Sequence, residues 1–192
     1  MAYEADLFDK PPLPGLALAA AIVPPAEERA LIAAIEASPL APFHYHQWEG
    51  KRLTASYGWR YDFDGGGLSP AAPIPDWLLP LRERAARVAG LNPVDLAQSL
   101  LIRYGPGAGI GWHRDRPVFG HVLGVSLGAP AVMRFRRRRP GGFDRVAVPL
   151  APRSLYHLSG AARHDWEHSI APIDATRWSV TFRSLAQRGP EW

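Results

Sequence analysis

One stretch of the sequence decides how the rest is interpreted: Arg177-Trp178-Ser179-Val180-Thr181-Phe182-Arg183. Side chains alternate between the two faces of a β-strand, so this stretch places two arginines on one face and three large apolar side chains on the other. An arginine inside a β-sandwich is costly unless it is paired. The stretch therefore predicts a buried anion, such as a dicarboxylate held by a bidentate guanidinium. The alternative is that both arginines pair with protein carboxylates such as Asp115, or face solvent on an edge strand.

Short β-type runs surround this strand, and glycine and proline clusters separate them. The runs are residues 99–104, 120–127, 131–136, 145–150, 154–158 and 177–185. Many short strands with turn signals between them are typical of a sandwich or barrel. Ahead of them, apolar residues at helical spacing predict helices over residues 26–37 and 77–89. We expect Asp76 to cap the second helix and Gly90 to end it, and the predicted fold class is α+β.

The length and composition of the chain are those of one globular unit. The 192 residues suit a single domain, predicted over residues 15–192 after a loose arm over residues 1–14. Residues 57–63 read as one strand, ended by three glycines at 65–67. The apolar run at 16–23 is too short to span a bilayer and has no basic lead-in. We expect a cytoplasmic protein without membrane contact, compatible with a monomer.

The choice of metal ligands is narrowed because the sequence has no cysteine. Disulfides, thiolate metal sites and cysteine nucleophiles are excluded. In an extended segment, His113-Arg114-Asp115 would project an imidazole and a carboxylate to the same side. His168 follows after several short strands and could lie opposite the first pair. Two histidines and one carboxylate form the facial triad that leaves coordination positions open on Fe(II).

Taken in order, these motifs resemble the AlkB family of dioxygenases. The order is Tyr104-Gly105-Pro106-Gly107, His113-Arg114-Asp115, His168, and then Arg177 and Arg183 on either side of Thr181. Leu123-Gly124-Val125-Ser126-Leu127-Gly128 and Leu158-Ser159-Gly160 with Arg163 match in the same order. The resemblance covers residues 51–185. It implies a double-stranded β-helix (jelly-roll) core preceded by helices, and the use of Fe(II), 2-oxoglutarate and O2.

The resemblance also implies which residues carry the chemistry. His113, Asp115 and His168 bind iron. Arg183 lies close to the iron and steadies Asp115. The implied reaction couples decarboxylation of 2-oxoglutarate to oxidation of a substrate C–H bond, and an N-methyl group oxidised in this way is lost as formaldehyde.

The same resemblance implies a cosubstrate pocket on one strand face. Arg177 pairs with the distal carboxylate of 2-oxoglutarate, and Tyr104 hydrogen-bonds near it. Thr181 and Ser179 line the same pocket. The chain departs from the family pattern at Ser179 and Ile102, where the family often has Asn. These two changes leave the core chemistry intact.

A third departure concerns the substrate. Bacterial repair enzymes of the family carry an acid two residues after the metal-binding Asp, and here that residue is Pro117. Residues 58–62 and 163–168 look closer to the eukaryotic tRNA wobble-uridine branch. The favoured function is oxidative demethylation of N-alkylated bases in DNA or RNA, as repair or as RNA modification. The alternative is hydroxylation or demethylation of tRNA wobble nucleosides, or of a protein.

Candidate substrate contacts come from basic and aromatic residues. The net charge is +4 and the pI about 9.8, which favours a nucleic-acid partner. Five arginines lie within residues 134–139, either as a phosphate-binding hairpin or as a solvated surface, and of these we single out Arg136 and Arg137. Arg163, Tyr57 and Trp59 complete the predicted set. Tyr45 and Trp48 could also stack on a base, although each aromatic could equally pack onto the sandwich.

Two other functions are compatible with single motifs. Gly124-Val125-Ser126-Leu127-Gly128 fits the Gly-X-Ser-X-Gly pattern of a serine hydrolase, with Ser126 as nucleophile. That pattern requires a helix directly after the serine, whereas a proline and a β-like run follow here. A non-enzymatic nucleic-acid binder would use the arginines but would leave the metal triad without a purpose.

Overall fold

The computed structural model describes residues 12–45, 48–62 and 65–186. Its helices are α1 (Pro25–Glu36), α2 (Leu79–Ala89) and α3 (Gly160–His164). Its first strands are β1 (Leu16–Ala19), β2 (Ala41–Tyr45), β3 (Trp48–Tyr57), β4 (Trp59–Asp62), β5 (Gly67–Pro70), β6 (Gln98–Tyr104) and β7 (Ile110–His113). They are followed by β8 (Phe119–Gly128), β9 (Ala131–Arg139), β10 (Gly142–Leu150), β11 (Leu155–Leu158), β12 (Glu167–Ile170) and β13 (Arg177–Leu185).

Within these residues the strands form two larger antiparallel sheets and a hairpin. The first sheet has the order β1-β11-β8-β13-β6-β3-β2, the second has the order β10-β9-β12-β7, and β4 pairs with β5. Met133 and Phe135 of the second sheet and Val122 and Leu158 of the first belong to one buried apolar cluster. The two sheets therefore enclose a common interior, as the jelly-roll prediction requires.

Helices α1 and α2 cover the outer face of the first sheet. Leu31 and Ile35 of α1 share a buried cluster with Val180 and Phe182 of β13, and Trp178 packs against its border. The alternation predicted for β13 is therefore confirmed on its apolar side. Its polar side faces the interior between the sheets.

Both predicted helices are present with small shifts in their bounds. The first begins at Pro25, and the second is preceded by a short 3-10 turn over Asp76–Leu78. Gly90 ends the second helix in the left-handed conformation, with φ 68°, as expected. The prediction that Asp76 caps this helix is wrong, because the turn begins after Pro75 and no side chain caps it.

The strand predicted over residues 57–63 is also wrong as one element. Gly58 has φ 73° and separates β3 from β4. A side chain at Gly58 would collide with the carbonyl oxygen of Ala97, so the chain turns where only glycine fits. Phe63 lies outside the described residues. The predicted arm falls mainly on residues 1–11, which also lie outside them, so the domain boundaries stay a prediction.

Two of the strands that form the site, β7 and β12, were not predicted. Both have only four residues, Ile-Gly-Trp-His and Glu-His-Ser-Ile, which is too short for an apolar alternation to identify a strand. They are strands because they pair with each other and, for β12, with β9. Among the described residues, no helix is long and apolar enough to cross a membrane.

Candidate active site

Two paired strands of the second sheet bring the predicted metal ligands together. His113 ends β7 and lies directly opposite His168 of β12. Asp115 follows β7 in the next loop, so its position depends on that loop and not on strand alternation. One ligand atom from each residue lies within 4.8 Å of the others. The rings of the two histidines are 4.2 Å apart between centroids.

The surroundings keep these groups in the protonation states that bind a metal. Burial lowers the pKa of His168 to about 3, and the nearby His113 adds to the effect. Burial alone would raise the pKa of Asp115, but Arg183 and the two histidines hold it well below its usual range. Nδ1 of His113 lies 2.9 Å from the carbonyl oxygen of Gly111 and so donates to it, which leaves Nε2 for a ligand. Neutral imidazoles and an ionised carboxylate fit a divalent cation.

Arg163, predicted as a substrate contact, has a structural role instead. Its side chain is buried, and it donates hydrogen bonds to the carbonyl oxygens of Arg116, Phe119 and Gly120 at 2.7–3.1 Å. These contacts hold the loop that follows Asp115. Nε and NH2 of its guanidinium are engaged by backbone carbonyls inside the protein, so the substrate assignment of Arg163 is corrected.

The inner face of β13 carries the residues predicted to bind the cosubstrate. Arg177 is 1% exposed, its Nε donates to Oγ of Ser126 at 3.2 Å, and its guanidinium lies over the ring of Tyr104. Its NH1 atom has no partner among the described residues. A buried donor without an acceptor is rare in folded proteins, and a carboxylate would satisfy it. The residues present therefore fit a bound dicarboxylate, and Ser179 and Thr181 lie buried on the same face.

Ser126 does not have the geometry of a hydrolase nucleophile. It is buried inside β8, which continues to Gly128 with no helix after the serine. Its hydroxyl oxygen accepts the hydrogen bond from Arg177. The serine-hydrolase alternative is therefore wrong.

Tyr156 lies beside the predicted cosubstrate residues, and the sequence did not predict it. Its ring crosses Gly124 so closely that a Cβ there would overlap it, and Gly124 lies opposite Thr181. Burial raises the pKa of Tyr156 to about 12, with Tyr104 and Asp115 adding to the effect. The signal in the sequence was Gly124 in the interior of a strand, since such a glycine marks a close approach.

The predicted stacking aromatics do not form one group. Tyr57 packs against the helix-side core, away from the sheet interior, so its substrate assignment is corrected. Trp59 is half-buried on the β4–β5 hairpin, and Arg116 of the loop after the metal ligands lies over the ring of Tyr61 in the same hairpin. That hairpin therefore lies beside the triad. The side chains of Tyr45 and Trp48 lie outside the described residues.

Alternation in β9 divides the arginine cluster between two faces of the second sheet. Arg137 and Arg139 share the inner face with Phe135, and both pair with Asp144 at 3.0–3.1 Å. The outer face carries Arg134, Arg136, Arg138 and, from β10, Arg145. Arg136 pairs with Glu167 at 2.6 Å and lies over the ring of Trp112. Trp166 is buried in the interior cluster. The substrate roles of Arg136 and Arg137 stay predictions.

Comparison with known sequences identifies the group to which this arrangement belongs. The profile of the 2OG-Fe(II) oxygenase superfamily matches residues 36–185, which include the triad, Arg177 and Arg183. The chain belongs to this superfamily. As a 2OG-Fe(II) oxygenase it has the expected His-Asp-His site, and its two histidines lie on the paired strands β7 and β12.

Relatives of this 2OG-Fe(II) oxygenase carry AlkB names. It is 30% identical to the alpha-ketoglutarate-dependent dioxygenase AlkB of Salmonella typhimurium, over 68% of each chain. It is 32% identical to the tRNA (carboxymethyluridine(34)-5-O)-methyltransferase alkbh8 of Xenopus tropicalis, over 83% of this chain and 25% of the relative. The chain is an AlkB-like member of the superfamily. It spans a quarter to just over half of the length of relatives such as the Xenopus protein and the Arabidopsis thaliana ALKBH8 homologue.

Solved structures agree on the fold of this AlkB-like chain. The structure of OsALKBH1 superposes with a TM-score of 0.71 at 14% identity and covers 90% of this chain and 97% of its own. A Pseudomonas putida prolyl-4-hydroxylase superposes with a TM-score of 0.61 at 15% identity, over 91% of this chain and 94% of its own. The predicted jelly-roll fold is confirmed.

Proposed function

We propose that the chain is an Fe(II)- and 2-oxoglutarate-dependent dioxygenase that oxidatively dealkylates N-alkylated bases in DNA or RNA. The observation that carries the proposal is the buried NH1 atom of Arg177, which has no acceptor among the described residues. Arg177 lies on the inner face of β13. On the same face, Arg183 donates a hydrogen bond to Asp115 of the triad. A metal site on the second sheet and an unsatisfied guanidinium on the first sheet, both facing the interior between the sheets, are what a metal-bound dicarboxylate requires.

Each residue of the site has a distinct task. His113, Asp115 and His168 would hold Fe(II), and Arg177 would hold the distal carboxylate of 2-oxoglutarate. Arg183 donates a hydrogen bond to Oδ1 of Asp115. The other carboxylate oxygen, Oδ2, faces Nε2 of His168 at 3.7 Å. When bound, the metal and 2-oxoglutarate supply the oxidation, in which O2 is consumed, succinate and CO2 are released and a substrate C–H bond is hydroxylated. The chain contributes placement of the target carbon and exclusion of water.

A nucleic-acid substrate is supported by charge. The chain has a net charge of +4, and three of its outer-face arginines lie on β9, the strand next to that of His168. A target base in a duplex would have to be flipped out to reach the interior between the sheets. The β4–β5 hairpin lies where it could cover such a base, because it contacts the loop after Asp115 through Arg116 and Tyr61. We also propose that the protein is cytoplasmic.

Hydroxylation or demethylation of tRNA wobble nucleosides is the second candidate. It is favoured by the alkbh8 relative, whose name refers to carboxymethyluridine 34 of tRNA, and by Pro117 in place of an acid. A protein substrate on the same scaffold is the remaining rival.

One experiment separates these candidates. The protein is loaded with Fe(II) and 2-oxoglutarate without O2, and succinate is then measured after adding air with methylated DNA, methylated RNA, tRNA or peptides. We expect stimulation by a nucleic acid together with formaldehyde release. Stimulation by tRNA without formaldehyde would favour wobble hydroxylation, and stimulation by peptides alone would contradict the proposal.

A further inference from the structure

Three basic or aromatic side chains form a row across the inner face of the first sheet. Arg52 of β3 lies opposite Tyr104 of β6, and Tyr104 lies opposite Arg177 of β13. Directly opposed residues of antiparallel strands project to the same face. Because Arg177 and Tyr104 face the interior, Arg52 faces it too. Sequence reasoning did not single out Arg52, since a lone arginine in a polar segment carries no signal.

Arg52 has the environment of a ligand-binding arginine. Its guanidinium stacks on the ring of Phe43 at 3.8 Å from the ring centre, and its side chain is half-buried. In the described parts of the chain, no carboxylate or carbonyl accepts a hydrogen bond from it. Burial lowers the pKa of Arg52, and its charge is felt by His113 of the triad. Stacking covers the flat face of the guanidinium and leaves its N–H edges free for an acceptor.

The charges of the site make this arginine informative about the substrate. Asp115 is the acid of the triad, and Arg183 already engages it. Residue 117 is proline, so the loop has no acid two positions after Asp115. Fe(II) and 2-oxoglutarate carry opposite charges of equal size, so the bound pair adds no net charge. Among the residues that the structure describes, Asp115 is the carboxylate placed at the iron site and it is already paired, so a substrate base would meet the positive charge of Arg52.

We propose that Arg52 is a specificity-determining residue that selects nucleobases without positive charge and binds a carbonyl or carboxylate oxygen of the base. This inference rests on the proposed function, since it assumes a nucleic-acid substrate. Bases alkylated on a ring nitrogen so that they become cationic, such as 3-methylcytosine, should be bound poorly. Their neutral counterparts with a carbonyl oxygen in place of the amino group, such as 3-methyluracil, should be bound well.

The test compares these two bases, which share the ring and the methyl position. Short single-stranded oligonucleotides containing either base are bound to the protein loaded with Fe(II) and 2-oxoglutarate, without O2, at pH 7, and Kd is measured by fluorescence anisotropy. We expect the parent to prefer 3-methyluracil by on the order of tenfold. Arg52→Gln should bring the two Kd values close together. Arg52→Lys should retain the discrimination against 3-methylcytosine, because the positive charge remains. It should weaken 3-methyluracil binding, because the planar guanidinium with its paired N–H donors is lost.

Lys51→Gln is the matched control, because Lys51 is exposed, adjacent and carries the same charge. It should leave the ratio of Kd values unchanged.

Equal Kd values in the parent, or an unchanged ratio in Arg52→Gln, would overturn the inference. Weaker 2-oxoglutarate binding in Arg52→Gln with an unchanged ratio would instead assign Arg52 to the cosubstrate. A shifted ratio without formaldehyde release in air would contradict the proposed dealkylation and leave the role of Arg52 standing. If the parent protein bound neither oligonucleotide, both the proposed function and the proposed role of Arg52 would be overturned.

Discussion

Nε of Arg183 donates a 2.8 Å hydrogen bond to Oδ1 of Asp115, and both side chains are almost excluded from solvent. The same guanidinium donates from NH1 to Oε1 of Gln98 at 2.8 Å. One carboxylate oxygen of Asp115 is therefore hydrogen-bonded to Arg183 of the first sheet, and the other faces His168 of the second sheet. Breaking a buried pair by removing one partner costs about 3–5 kcal/mol. The ion pair thus fixes the metal-binding carboxylate and ties the two sheets together.

The first prediction concerns the metal ligands. Asp115→Ala and His113→Ala should each reduce Fe(II)-dependent 2-oxoglutarate turnover by at least about 100-fold, more than the loss of a residue that merely supports a ligand. Succinate formation and Fe(II) binding are the measurements, with circular dichroism as the check on folding. His121→Ala is the matched control, because His121 bonds to His157 outside the triad. Parent-level turnover in Asp115→Ala would show that the triad is misassigned.

The second prediction concerns the cosubstrate. Arg177→Lys should raise the KM for 2-oxoglutarate by about tenfold. The reason is that a lysine ammonium group replaces a planar guanidinium that can donate to both carboxylate oxygens. Initial rates of succinate formation at varied 2-oxoglutarate measure this. Arg103→Lys is the control, since Arg103 lies on the neighbouring strand and pairs with the exposed Glu36. An unchanged KM in Arg177→Lys would count against the role of Arg177.

The third prediction concerns the outer-face arginines. Replacing Arg134, Arg138 and Arg145 with Gln should flatten the salt dependence of single-strand binding, by about 0.7 in slope for each lost phosphate contact. Uncoupled 2-oxoglutarate decarboxylation should be unchanged, because the iron site is untouched. Replacing Arg137 and Arg139 should change the slope less, since Asp144 already pairs with both. Fluorescence anisotropy at several salt concentrations gives the slopes, and equal slopes in all variants would remove these arginines from substrate binding.

The fourth prediction concerns pH and a histidine outside the triad. Burial, with His121 adding to the effect, lowers the pKa of His157 to about 4. The unfolded chain therefore binds more protons than the folded one between the ordinary histidine pKa and about 4. The free energy of unfolding should fall as the pH drops through this range. His157→Gln should make the fall shallower, whereas the same change at the exposed His164 should not. Urea denaturation from pH 7.5 to pH 4.5 measures both, and identical slopes in the parent and His157→Gln would contradict the assignment.

The sequence by itself determined the strands and the chemistry that have strong local signals. The alternation of β13 identified its inward and outward faces, because a strand buried on both sides must separate its apolar residues from its arginines. His113, Asp115 and His168 were identified by residue type and order, and Arg177 by the cost of burying a cation. These inferences need the chain, the periodicity of its side chains and, for the roles of the metal ligands and Arg177, the resemblance of the ordered motifs to the AlkB family.

Only the tertiary structure decided which residues meet across strands. β7 and β12 become strands through pairing with each other, which a four-residue segment cannot signal alone. The ring of Tyr156 lies over Gly124, Tyr57 packs against the helix-side core, and Arg163 donates hydrogen bonds to backbone carbonyls. The inward position of Arg52 follows from its register with Tyr104. Cross-strand register joins residues far apart in sequence, so local patterns do not contain it.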